Sequence, residues 1–594
     1  MFVRCKKRFK DGKEHRYWSV VENCRVRGGR VVQRQILYLG EINDSQRAAW
    51  CRAIEVLEGR SGSRQVALFP EDREAPELDC EVVKINVAEV SLHDPRQWGA
   101  CWLALTLWDR LELDRFWAPR LPPSRQGTRW LDVLKILACY RLVDPGSEWR
   151  LHRHWLEHSA LRDLLGCDRA IPADTLYRCL DRLLAHRQAF FSFLRERWAT
   201  LFDARFDILV YDLTSTYFES DPPFDDKRQF GYSRDSRPDC VQVVIALVVT
   251  PDGFPLAYEV MPGNTSDQST LAGFLERIER QYGRSDRIWI MDRGIPTEET
   301  LQQMREGDAP VRYLVGTPKG RLTKFEKAFL DRPWQEVRES VGVKLLVEDG
   351  ELYVLVRSEG RLHKERAMRR RRLKRLWRRL GELQGQSNSR DQLMLKLGAA
   401  RKDAGRAWGL VDIRVPATAE ELAAHGFSFR LRRERLRQVR RREGRYLLRS
   451  NMVAEDPAEL WRLYMRLVEI EQAFKELKHD LAVRPVFHQV EERIEAHIFV
   501  SFIAYCLLVT LKNIARPRAG GLTPRAIIEA FGTIQMVDVH LPTTDGRRLV
   551  LPRCTQPWKE HELLLHQLGM TLPAQGASRL SSCRRATRCP SAAV

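Results

Sequence analysis

"FDILVYDLTSTYFE", residues 206–219, is the stretch on which the fold turns. The apolar run Ile208-Leu209-Val210-Tyr211 is rich in β-formers and gives way to polar residues at Asp212. A short continuous apolar run bounded in this way reads as a buried strand. Working outward, "CVQVVIALVVT" (240–250) is a second strand, "PDG" a turn and "FPLAYEVMPG" (254–263) a third strand. "DQSTLAGFLERIERQYG" (267–283) reads as a helix with Asp267 at its N-cap. "DRIWIMDRG" (286–294) is a fourth strand, "TEETLQQMREGD" (297–308) a helix and "VRYLVGT" (311–317) a fifth strand. Three strands, a helix, a strand, a helix and a strand predict an α/β fold with a mixed sheet.

At 594 residues the chain exceeds one core, so several domains are expected. Residues 1–95 read as a basic β-rich region and linker: strands "YWSVVENCRV" and "RVVQRQILYLG" around "RGGR", a short helix at 46–59, then a Gly/Ser/Pro-containing linker. Residues 96–205 are helical in pattern and are the expected DNA-binding region. Within them "PADTLYRCLDRLLAHR" (172–187) is either an ordinary structural helix or the second helix of a helix-turn-helix. The first part of the α/β core spans 206–330. An insertion subdomain at 331–455 holds a hairpin around Asp349-Gly350, an Arg-rich helix, and strands "FSFRLRRERL" and "GRYLLRSN". Residues 456–515 return to the core, and 516–594 form a C-terminal region whose tail from about 573 is expected to be disordered.

The formal charge is +20, with 99 Lys and Arg against 79 Asp and Glu. That balance favours a polyanionic partner, nucleic acid before membrane. The positive charge is clustered: residues 361–380 hold eleven basic residues against one acid. The 13 Cys form no C-x-x-C pair, so neither a zinc ribbon nor a disulfide framework is indicated and a cytoplasmic location is expected. The N-terminus is basic without an apolar h-region, so no signal peptide is expected. The longest apolar run, 498–511, is too short to span a bilayer and reads as a core helix.

"WRLYMRLVEIEQAFKELKHD" (461–480) reads as one helix. At about 100° per residue, Leu463, Leu467, Ile470, Phe474, Leu477 and Leu481 form an apolar stripe. Tyr464, Glu471, Lys475 and Lys478 line one edge of it, while Glu469 and Glu476 point away. Among the three glutamates, Glu471 is therefore the one placed to face a cleft; a solvated flank with a Glu471–Lys475 pair is the plain alternative. Asp212 and Asp292 close the first and fourth strands, where side chains reach the ligand crevice of an α/β sheet, unless they merely cap turns. Three such carboxylates suit Mg²⁺, and two ions held about 4 Å apart promote phosphodiester cleavage.

These residues also resemble a family. Tyr464, Glu471 and Lys478 match three of the four positions of the Tyr-x₂-Arg-x₃-Glu-x₆-Lys signature of DDE transposases of the insertion-sequence-four superfamily. Leu467 stands in the Arg place, with Arg466 beside it. "VYDLTSTYFE" and "IMDRG" resemble the strands around the family's two aspartates. Residues 230–267 resemble its linking segment, and "RPVFHQVEERIEAHIF" (484–499) the stretch after its glutamate. The resemblance implies a ribonuclease-H-like core interrupted by a mostly β insertion, with Asp212, Asp292 and Glu471 as catalytic metal ligands for Mg²⁺ or Mn²⁺. It implies cleavage at insertion-sequence ends and joining to target DNA, by a homo-oligomer on paired double-stranded ends, in a bacterial cytoplasm and at the nucleoid when bound. Tyr464, Lys475, Lys478 and Arg293 are the expected DNA contacts near the scissile position. Arg371 and Arg375 of the Arg-rich helix are expected on the phosphate backbone, unless that helix is simply a solubilising face. Trp377 either packs or stacks on an extruded base.

Two other readings compete. One is a catalytically decayed or domesticated DNA-binding protein on the same fold. The other is a zinc metalloprotease, because "HWLEH" (154–158) fits the inverted H-x-x-E-H pattern with His154 and His158 as ligands, Glu157 as base and His152 nearby.

Overall fold

A computed structural model describes the chain except residues 11–12, 26–30, 61–84, 168–169, 220–226, 267–269, 284–285, 308–309, 318–320, 322–323, 326–327, 330, 387–388, 419–421, 423–425, 453–455, 545, 575–578 and 582–594. The "RGGR" turn, most of the expected linker, Asp267 and most of the expected tail lie outside the described residues. Two compact units result: Met1–Lys6 with Arg16–Ser285 and Leu467–Val594, and Lys7–His15 with Asp286–Arg466.

In the first unit, strand Gln242–Val249 lies between Ile208–Tyr217 and Pro255–Pro262, all antiparallel. All eight residues of the middle strand are buried, which is why its sequence is a continuous apolar run and does not alternate. The turn after it places Gly253 at φ +89°, with its N–H donating to the Thr250 carbonyl at 2.9 Å. Asp212 does not end its strand. The strand runs on to Tyr217 because Thr214, Ser215 and Thr216 are buried, and the Thr216 hydroxyl donates to the Val483 carbonyl at 3.3 Å. Asp212 therefore sits mid-strand, opposite Leu247.

Helix Glu491–Ala515 fills the core of this unit and packs against helix Trp130–Val143. It has the length and hydropathy of a membrane span, yet its apolar window is 94% buried inside the fold. Phe502 stacks on Tyr258 at 4.0 Å between ring centres. The helix expected from Asp267 begins at Leu271, with Thr270 at its N-cap. The 172–187 segment is α-helical over Ala173–Leu180, then takes a short 3₁₀ turn at Leu184–His186 into helix Arg187–Phe202. One sheet was not legible in the sequence: Ser91–Gln97 pairs with Gln535–Pro542, which continues to Arg548–Cys554 and Arg579–Ser581. "SLHDPRQ" has a proline and little β-propensity, and Asp94 adopts φ +50°, so tertiary pairing makes this strand.

In the second unit, strands run in the order Gln335–Arg338, Val341–Glu348, Glu351–Ser358, Arg445–Ser450, Arg312–Thr317, Ile288–Met291. The last two are parallel and the other neighbours antiparallel, a mixed sheet. The hairpin expected at Asp349-Gly350 is present, with Glu348 opposite Glu351 and both turn residues at positive φ, 53° and 74°. Buried Glu351 accepts from Arg449 Nε at 2.7 Å and from Arg305 at 2.7 Å, tying two strands and a helix together. The insertion is not mostly β. It contains helices Glu359–Gln384, Arg390–Ala404 and Arg433–Arg442, and the Leu and Ala faces of the first two form a separate core with Ala407, Val411 and Phe427. "FSFRLRRERL" is a strand only at Ser428–Leu431. Beyond it Leu436 and Val439, three apart, give a helical face among arginines.

Candidate active site

The sequence-predicted residues divide by unit. Asp212, Glu471, Lys475 and Lys478 belong to the first; Asp292, Arg293, Arg371, Arg375 and Tyr464 to the second. The expected single helix over 461–480 is broken at Met465-Arg466: Pro457–Tyr464 is one helix and Leu467–Lys475 another, continued by a wider turn to Asp480.

In the first unit the Glu471 helix packs against the Asp212 strand. Its apolar stripe is buried as the periodicity requires: Ile470, Phe474, Leu477 and Leu481 are inside, and so is Leu467 at 7% exposure. Glu471 is exposed, while Asp212 is half-buried and its carboxylate accepts from the Leu213 N–H at 2.8 Å. The other two glutamates are committed elsewhere. Glu469 pairs with Lys512 at 2.8 Å. Glu476 is buried and accepts from Gln472 at 2.9 Å, and burial pushes its carboxyl up against the pull of Lys512.

Lys475 is exposed. Lys478 is held at 2.8 Å by Asp235, which also pairs with Arg484. Burial draws the Lys478 ammonium down and Asp235 opposes that shift. Asp235 was missed in the sequence. It lies within the resembling segment 230–267, but nothing local shows that this acid turns inward onto two cations.

In the second unit Asp292 follows strand Ile288–Met291 and is exposed, with Arg293 beside it and Gly294 at φ +95° turning the chain. The Tyr464 hydroxyl rests against Gly316, where a Cβ would collide with it. Burial, and then the negative charge of Asp292, push the Tyr464 phenol well up. Its ring lies 6.2 Å from that of Tyr446. Arg371 and Arg375 are exposed on helix Glu359–Gln384, which buries only Leu376, Leu380 and Leu383. A cavity of about 160 Å³ on the same helix is lined by Arg372, Arg375, Arg378 and Arg379. Trp377 is 41% exposed and packs edge-on against Phe429 at 4.9 Å.

The "HWLEH" histidines are used otherwise. His158 Nδ1 lies 2.6 Å from the His154 carbonyl, and the His154 ring packs on Trp149 at 5.5 Å. Among the described residues one cluster has metal-like spacing: Glu148, His488 and His497, with ligand atoms within 4.8 Å of one another. Arg141 lies 3.3 Å from both Glu148 and His497 Nδ1, so a guanidinium already fills the cation's role. Burial opposes ionisation of Glu148, yet His497, His488 and Arg141 hold its carboxyl well below the usual range. Burial and then Arg141 push His497 down to about 4, so it is neutral at pH 7. These four residues come as two pairs from distant parts of the chain, Arg141 with Glu148 and His488 with His497, and their meeting left no local signal.

Residues 204–507, just over half of the chain, match the transposase DDE domain family. The chain belongs to the DDE transposases. The transposase also matches, over residues 3–65, the N-terminal domain of IS1634 family transposases. No curated protein matches it. Among solved structures it is similar to a piggyBac transposase synaptic complex with hairpin DNA, at 9% identity and a TM-score of 0.34, over 74% of this chain and 82% of that one. DDE transposases use divalent metal ions. Asp212, Asp292 and Glu471 all fall inside the matched domain and offer the hard oxygen donors such ions prefer.

Proposed function

We propose that this transposase cleaves DNA at insertion-sequence ends and joins them to target DNA, with Asp212, Asp292 and Glu471 as the carboxylates that hold Mg²⁺ or Mn²⁺. The observation that carries the reading is that, within the matched domain, the helix presenting Glu471 packs on the strand presenting Asp212, while Glu469 and Glu476 are engaged elsewhere. Bound metal would activate the attacking oxygen and stabilise the leaving one. The chain's own part is to hold Asp212 and Glu471 on a strand and a helix, which are more precise supports than loops, and Asp292 just after a strand end. Tyr464 is within electrostatic reach of Asp292, and its hydroxyl suits a DNA phosphate near that carboxylate. Lys475, Arg293, Arg371 and Arg375 are exposed cations suited to phosphates. The core is read as ribonuclease-H-like and the wider assignment as the insertion-sequence-four superfamily, with terminal inverted repeats and target as double-stranded substrates and a homo-oligomer on paired ends. Action in the bacterial cytoplasm and at the nucleoid follows from those substrates.

The test is a Mg²⁺-dependent cleavage and joining assay on a labelled duplex carrying the flanking sequence of the gene, with wild type beside Glu471→Gln. Metal-dependent nicking plus joined product, both lost in the variant, supports the reading. Binding without cutting by wild type sinks it and leaves a DNA-binding protein.

A further inference from the structure

Helix Arg390–Ala404 of the second unit carries different residues on its two opposite sides. At about 100° per residue, Leu393, Leu397, Ala400 and Ala404 share one side, which is buried in the core of the insertion. Asp391, Leu395, Gly398 and Lys402 fall within about 60° of one another on the far side, and all four are exposed. Leu395 is 78% exposed and Met394 beside it 49%, so the apolar centre of this side is uncovered. A Cβ added at Gly398 would meet nothing within 4 Å, so the helix backbone is bare three residues from that leucine. Asp391 and Lys402 make no ion pair with any described residue.

The spacing of the four residues is that of a seam between helices. Steps of four, three and four are those of the a and d positions of a coiled coil. They are also symmetric, because Asp391 and Lys402 lie equally far from the midpoint between Leu395 and Gly398. Two copies of the helix laid antiparallel about a two-fold axis therefore bring each residue opposite its complement. Leu395 of one copy enters the gap over the partner's Gly398, Asp391 meets the partner's Lys402, and the axis repeats both contacts. Antiparallel alignment also sets the two helix macrodipoles against each other. A parallel pair would leave Gly398 facing Gly398 across a void and Asp391 facing Asp391, so shape and charge both choose the antiparallel register. We propose that helix Arg390–Ala404 is an interface between two copies of this transposase, packed antiparallel through Asp391, Leu395, Gly398 and Lys402. The seam is about 16 Å long, short of a standard interface, so association is weak in the free protein and tightens when two copies share one DNA.

The seam supplies a contact for the homo-oligomer of the proposed function, and for that use it rests on that reading. Its test needs neither DNA nor metal. Full-length protein in EDTA and about 0.3 M salt, which screens repulsion between cationic copies, is followed by sedimentation equilibrium up to about 100 μM. The mass should rise with concentration from 69.2 kDa toward twice that value. Leu395→Lys and Gly398→Leu should each weaken association about tenfold. Gly398→Leu should melt no lower than wild type, because its side chain enters open space and leucine is the better helix former. Asp391→Lys and Lys402→Asp should each associate about tenfold more weakly when alone. An equimolar mixture of those two variants should associate as wild type does, because both ion pairs re-form across the axis. Wild type that stays monomeric throughout overturns the proposal. So does association that Leu395→Lys and Gly398→Leu leave unchanged, or a mixture that associates no better than its components. Failure of the Mg²⁺ cleavage assay would leave these results standing, so the two readings fail separately.

Discussion

Gly316→Ala is the most informative single change to Tyr464 and its surroundings. The added Cβ would collide with the Tyr464 hydroxyl and sit 3.3 Å from the carbon bearing it, with the Arg293 backbone nitrogen at 3.4 Å. Gly316 lies in strand Arg312–Thr317, paired with Arg445–Ser450, so the strand cannot retreat without losing ladder bonds. The strain therefore falls on Tyr464. Overpacking of this kind costs about 1–3 kcal/mol, which lowers the melting temperature of a unit this size by roughly 2–12 °C. Tyr464→Phe in the same background removes the colliding oxygen and should recover most of that loss, although the phenylalanine change alone gains nothing. The measurement is a four-variant thermal unfolding cycle, run beside Mg²⁺-dependent cleavage. Cleavage should fall in Gly316→Ala because the collision disturbs Tyr464 and the Arg293 backbone next to Asp292. A cycle in which the two changes are additive would refute the reasoning, because the collision is the whole of the argument.

Four further outcomes are expected. Asp212→Asn, Asp292→Asn and Glu471→Gln should each reduce Mg²⁺-dependent cleavage by more than about 100-fold with duplex binding intact, whereas Glu469→Gln should cleave nearly as wild type; an inactive Glu469→Gln with an active Glu471→Gln would exchange their roles. Leu467→Arg should destabilise by at least about 3 kcal/mol, because the leucine is 7% exposed in the helix stripe, and soluble, fully active protein would contradict this. Glu476 is buried with its carboxyl pushed up, so folding favours its protonated form. Its ionisation costs stability progressively as pH rises from the unfolded value of about 4.3 to the raised folded value, and fully above that. Glu476→Gln should then melt higher at pH 8 with the gain vanishing near pH 4, as read from melting temperature against pH. Asp235→Asn leaves Lys478 and Arg484 facing each other without their shared anion and should cost about 3–5 kcal/mol in urea unfolding; a loss under 1 kcal/mol, about the worth of an exposed pair, would show the pair to be solvated.

Much of the first unit was legible because its signals are local. Continuous apolar runs gave the strands at 242–249 and 255–262, and Asp349-Gly350 gave the hairpin in the second unit. Helical periodicity identified which face of the Glu471 helix is buried. It did not show the interruption at Met465-Arg466, because the periodicity runs through a break of two residues without a gap. Asp212 was placed at a strand end because Thr-Ser-Thr looks like a polar boundary, whereas the tertiary bond from Thr216 to Val483 draws it inside. The strand at 91–97 owes its existence to a partner more than 400 residues away, which no local pattern records. Asp235 and Glu148 likewise take partners from far along the chain, Lys478 and His497, set by the finished fold.

Helix Glu491–Ala515 has a consequence for how the protein is made. Its partner helix, Trp130–Val143, is almost wholly buried, and so are Trp117, Phe190 and Phe191, which gather round the same core. At ribosomal rates of about 5–20 residues per second, these apolar surfaces wait tens of seconds before the helix that covers them is synthesised. The nascent chain thus carries exposed apolar surface through most of its synthesis. A polypeptide that stops before this helix leaves the apolar faces of Trp130–Val143, Trp117 and Phe190 without the surface that covers them.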